Sequence, residues 1–158
     1  MVLKFVGVIC IAAGVTPLLG CHRDTKETPV LTEVLTAKYH VGETWKYQAR
    51  PGEESSTLIV VRVESTPTLG VIVHVSLVGL SVHSKRAPTG ISDRIAHMPF
   101  SEGAIDKSVT AMVGKAEQLP DFEEGYREWR IGFDQGKAGV FTISVAEAVG
   151  YIEGILQN

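Results

Sequence analysis

The chain has 158 residues, 44% of them hydrophobic, and its 15 Lys and Arg against 18 Asp and Glu leave a net charge of −3. That size bounds it to one domain plus appendages, and the absence of any run of five like charges excludes the basic tails used on nucleic acid. A nucleic-acid partner is therefore not expected.

Lys4 precedes an apolar stretch from Phe5 to Leu19, interrupted only by Thr16-Pro17. As a helix this stretch reaches about 22 Å, short of the roughly 30 Å hydrocarbon core that a stable span must cross. It suits the apolar region of a signal peptide, and Pro17 breaks the helix so that Leu18-Leu19-Gly20 is extended ahead of Cys21. The Leu18-Leu19-Gly20-Cys21 sequence resembles the lipobox of bacterial lipoprotein precursors. The resemblance covers about the first 21 residues. It implies cleavage before Cys21, a diacylglyceryl thioether on its sulfur and an acyl group on its new amine. Several acyl chains make a stable membrane anchor. His22, where an aspartate would favour retention at the inner membrane, implies an outer-membrane protein facing the periplasm if the host is Gram-negative. Cys10 would leave with residues 1–20, so the mature fold is expected to carry no disulfide.

Residues 21–38 read as the lipidated cysteine and a tether rich in Thr, Lys and Glu, whose Val30, Leu31, Val34 and Leu35 stand at helical spacing and are able to dock on the domain. Residues 39–158 read as one globular domain. Trp45, Tyr47 and Ala49 alternate with Thr44, Lys46, Gln48 and Arg50, the pattern of a strand with one face on a core. Arg50-Pro51-Gly52-Glu53 has the chemistry of a type II turn. A second strand over 56–64 puts Ile59, Val61 and Val63 on one face and Leu58, Val60, Arg62 and Glu64 on the other. After the Thr66–Gly70 turn, a third strand sets Val71, Val73, Val75 and Leu77 against Ile72, His74, Ser76 and Val78. Ile91–His97 supplies a short fourth strand.

Helical spacing follows. Ser101 can cap a helix carrying Ile105, Val109, Met112 and Val113; Asp121 can cap one carrying Phe122, Tyr126, Trp129 and Phe133. Ser144-Val145-Ala146-Glu147 is a capping box opening a third helix, with Val145, Ala148, Val149, Ile152 and Leu156 on one stripe. Strands first and helices after predict an α+β fold: an antiparallel meander of three to four strands with about three helices on one face. The aromatic stripe of the second helix is the expected lid for Trp45 and Tyr47.

No catalytic constellation stands out. His97, Ser101 and Asp106 lie close in sequence, but Ser101 lacks the flanking glycines of a nucleophile elbow. No two histidines stand at a metal-ligand spacing, so neither metal nor cofactor is expected, and each histidine reads as a surface or half-buried residue. The face with Leu58, Val60, Ile72, His74 and Val78 is too apolar to be merely solvated, and is expected to take a partner protein of the envelope or to be covered by the tether. Ala146, Gly150 and Gly154 suggest a second place where another backbone approaches. The expectation is a membrane-anchored envelope lipoprotein with a non-catalytic binding domain, of assembly-factor or toxin-inhibitor type. The alternative is a small envelope hydrolase using His97 and Ser101.

Overall fold

Glycine and proline punctuation folds the first half of the chain into a meander. Gly52 has φ +86 and the Glu53 N–H donates to the Arg50 carbonyl at 3.0 Å, the turn that Pro51-Gly52 encodes. The computed structural model describes residues 30–34 and 37–157. The expected signal peptide 1–20, Cys21, most of the expected tether and Leu35 lie outside the described residues. The described elements are β1 (Thr32–Glu33), β2 (Glu43–Tyr47), β3 (Thr57–Thr66), β4 (Gly70–His83), β5 (Ile91–Ser101), α1 (Glu102–Ser108), β6 (Val109–Lys115), α2 (Glu123–Asp134) and α3 (Val145–Leu156). The sheet runs β5-β4-β3-β2-β6 with every ladder antiparallel, and β1 pairs the far end of β3. The fold is thus the expected α+β meander, with β6 added beyond β2 and β1 beside the end of β3.

The edge strand β6 replaces half of an expected helix. Ser101 does cap α1, accepting from the Ala104 N–H, but the helix stops at Ser108. Val109, Thr110 and Val113 are β-branched and lose side-chain freedom in a helix, and β2 offers them a ladder. That ladder is irregular: Thr44 faces Gly114 while Trp45 faces Met112, and Lys46 faces Ala111 while Tyr47 faces Val109. Val113 and Thr110 are therefore extra residues, two β-bulges on one edge. β5 also outruns the expected Ile91–His97, because Met98 and Phe100 carry its alternation into the core.

Three irregularities decide which side chains point where. A shift between Val60 and Arg62 in the β3–β4 register adds Val61, so Leu58, Val60 and Val63 all reach the main core. Strict alternation had put Leu58 and Val60 on the opposite face from Val63. A second shift in β4, at Gly79 with φ +76, turns Leu80 and Val82 into the same core as Leu77. A Cβ at position 79 would stand 3.2 Å from the Ser56 Cα, so glycine serves both the backbone angle and the close approach. The third is the start of the sheet: Thr32 and Glu33 pair Ser65 and Glu64, so the folded unit begins inside the expected tether.

The helices divide between the two faces rather than sharing one. α1 and α3 cover Val73, Val75 and Leu77 with Ala104, Ile105, Val145, Ala148 and Val149. The Ser108 hydroxyl accepts from the Val145 N–H at 3.0 Å and donates to the Ala104 carbonyl at 2.7 Å, pinning the start of α3 to the end of α1. The Ser144 capping box is present in full. α2 lies on the other face, where Trp129 and Phe133 pack on Ile72. Its aromatic stripe is therefore a lid for Ile72 and His74, and Tyr39, not α2, packs edge-on against Trp45. Phe122 rather than Asp121 occupies the N-cap, with no side-chain bond.

Candidate functional site

The face of the sheet beneath α2 holds one buried polar cluster. Arg62 and Glu64 project from β3 to this face because the Val61 bulge has reset the alternation, and His74 from β4 and His97 from β5 lie beside them. Their order across the sheet is a line. Glu64 Oε2 is 3.2 Å from His74 Nε2, and His74 Nδ1 is 2.9 Å from His97 Nε2. Arg62 Nε approaches Glu64 Oε1 at 3.0 Å, and the Tyr126 hydroxyl donates to both carboxylate oxygens at 3.0 and 3.1 Å. The Arg62 guanidinium also stacks over the Tyr126 ring, 4.7 Å from its centre.

The Arg62 Nε and His74 Nε2 contacts to Glu64 are close but misaligned, so both are electrostatic contacts rather than full hydrogen bonds. They still order the protons. A bare His74 Nε2 lone pair facing a carboxylate is repulsive, so the proton sits on Nε2. His74 Nδ1 is then an acceptor, and the His97 Nε2–H donates to it. Aromatic walls close the cluster: the Trp129 and Tyr126 rings meet His74 edge-on, 4.8 and 5.4 Å away, while His97 stacks on His74 at 5.1 Å.

Burial governs the charge states. It would raise the Glu64 carboxyl, but the contacts from His74, Arg62 and Tyr126 outweigh it and hold the group at about 2. Burial lowers His74 despite Glu64, and burial together with the neighbouring His74 lowers His97 to about 3. Both imidazoles are neutral near pH 7. A base with so low an affinity for protons is badly matched to general acid–base work at neutrality. The arrangement instead satisfies a buried carboxylate and fixes α2 on the sheet.

The hydrolase residues do not converge. His97 bonds to His74, Ser101 is spent on the α1 cap, and Asp106 accepts from Lys38 at 2.7 Å and Tyr39 at 2.5 Å. The five residues expected to bind a partner through an open sheet face are not on one surface. Leu58 and Val60 are fully buried in the main core, Ile72 and His74 are fully buried under α2, and Val78 is half-buried. The Val61 bulge is the reason for the first pair, and α2 for the second. His74 also corrects the expectation of exposed or half-exposed histidines.

A second polar cluster closes the opposite end of the sheet. Arg50 binds Glu53 through Nε and Nη2 at 2.9 and 2.6 Å, and Glu153 through Nη1 at 2.6 Å. Glu153 also accepts from the His83 backbone and Nδ1, and Glu53 from the Ser81 backbone. The His83 N–H and Arg50, against a smaller cost of burial, hold Glu153 at about 2. These residues line an open groove of about 500 Å³ whose carboxylates are all paired within the protein. It straps the β2–β3 turn and β4 to the end of α3.

Neither cluster was visible as a motif. Glu64, His74, His97 and Tyr126 come from four elements, and only an isolated His in the apolar run of β4 signalled a buried polar site. Gly150 and Gly154 have no atom within 4 Å of where a Cβ would stand, so among the described residues no other backbone approaches that side of α3. No protein-family model, curated protein or solved structure matches this chain, and its function is read from its own residues alone.

Proposed function

We propose that the protein is a lipid-anchored lipoprotein of the cell envelope whose domain binds rather than catalyses. The observation that carries the anchor is Leu18-Leu19-Gly20-Cys21 closing a short apolar stretch. Non-catalytic action is supported by the engagement of every candidate group elsewhere: His97 with His74, Ser101 with the α1 cap, Asp106 with Tyr39. An envelope protein is the kind of partner this reading expects, with outer-membrane placement following from His22 in a Gram-negative host.

Radiolabelled palmitate fed to cells making the wild type and Cys21→Ala tests the anchor. Label in the wild type alone is expected; equal label in both ends the reading. The binding role is tested in cells by combining His74→Gln, His97→Gln and Ser101→Asn. With folding retained, complementation is expected to survive, whereas its complete loss would favour the hydrolase.

A further inference from the structure

We infer that one end of the domain, built around Leu31, Leu69, Phe141 and Tyr151, rests on the bilayer that holds the lipid anchor. This inference deepens the proposed function and rests on its lipidated Cys21. The sheet register defines the end. Thr66 and Gly70 close the β3–β4 hairpin there, and β1 pairs with Ser65, so Leu31 follows next to Thr66. Ser101, opposite Ile72, brings the end of β5 to the same place, and Phe141 bridges Phe100 beside it.

Among the described residues, exposed apolar side chains stand at this end where the chain from Cys21 enters the fold. Val30 is 71% exposed, Leu69 44% and Ile143 42%, and the half-buried Phe141 ring meets a Tyr151 ring that is 62% exposed. Leu31 packs on the Ile72–Trp129–Phe133 cluster, so the segment leading from Cys21 joins the fold at the patch. Eight residues lie between Cys21 and Val30, so the nine steps joining them reach at most roughly 32 Å. An anchor on Cys21 thus holds this end, rather than the β4–β5 hairpin at the other, nearest the lipid. Tyrosine beside aliphatic residues is the composition favoured at a membrane–water boundary, where one part of the ring is apolar and the hydroxyl stays wet. A bilayer is the occupant that the tether delivers.

The test uses the full lipidated chain in vesicles of phosphatidylethanolamine and phosphatidylglycerol carrying nitroxide lipids. Cys10 leaves with the signal and Cys21 is acylated in this reading, so a cysteine placed at Leu69→Cys, Tyr151→Cys or Thr89→Cys takes a fluorophore alone. Thr89 lies in the β4–β5 turn at the opposite end. Labels at 69 and 151 are expected to be quenched severalfold more than the label at 89. Equal quenching at all three positions, on protein that floats with the vesicles, overturns the orientation and leaves the anchor standing. Blue-shifted emission at 151 that nitroxide lipids do not quench overturns it too, because another protein then covers the patch. A chain that incorporates no palmitate and does not float removes the anchor and this orientation together.

Discussion

Gly125 of α2 lies against His97 of β5 so closely that a Cβ at 125 would stand 2.9 Å from the His97 Cβ. The nearest atom is the fixed root of a side chain, not a mobile tip. α2 can therefore seat on the histidine pair only with glycine at this position. Gly125→Ala gains up to about 1 kcal/mol of helix propensity but has to displace α2, at a cost of about 1–3 kcal/mol. We expect a net loss of about 1 kcal/mol in urea unfolding. A gain would show that α2 yields freely.

The same substitution on α3 runs the other way. Gly150 and Gly154 have negative φ and open space where a Cβ would go. Gly150→Ala and Gly154→Ala should each raise stability by about 0.5–1 kcal/mol, read as a higher thermal midpoint. A fall at either site would reveal a close approach by another molecule, as between copies in solution.

Val60→Lys distinguishes a core strand from an open face. Val60 is fully buried among Leu58, Val75 and Leu77, so an ammonium there has no partner. We expect a loss of at least about 3 kcal/mol in denaturant unfolding, beyond the ±0.5 kcal/mol usual for surface changes.

Acid should weaken the fold in two steps. The folded state holds His97 at about 3 and His74 below its ordinary 6.5, whereas the unfolded chain protonates both as pH falls through 6.5. Stability is therefore full above 6.5 and declines as pH drops toward 3, by on the order of 1 kcal/mol at pH 5.5 for His97 alone. Glu64, held at about 2, adds a second loss from 4.5 downward. Urea midpoints measured against pH would show both. His97→Gln keeps an N–H for His74 Nδ1 and should shrink the first step to the share of His74 while leaving the second. An unchanged profile would exclude His97 as a source of the first step.

The β2–β5 meander, the turn at Pro51-Gly52 and the α3 capping box were legible because each depends on neighbours in sequence. The α+β class followed from them. The inward and outward faces of β3 were not legible, since one extra residue, Val61, exchanges the two and only the β4 partner reveals it. β6 was misread for a related reason. Val109, Met112 and Val113 fit helical spacing equally well, and it was the vacant edge of β2 that decided. The Glu64–His74–His97 line was hidden because it joins three strands whose register no local pattern records.

The extra residues Thr110 and Val113 also bear on behaviour in a crowd. A lipid anchor of the proposed kind confines molecules to two dimensions, where collisions between sheet margins are frequent. A straight margin with a single charge, Lys115, would invite neighbours to zip onto it. Two successive kinks break the regular spacing of free N–H and C=O groups that a second strand would have to match. Deleting Thr110 or Val113 to remove either kink should increase sideways assembly, read as a larger mass in sedimentation.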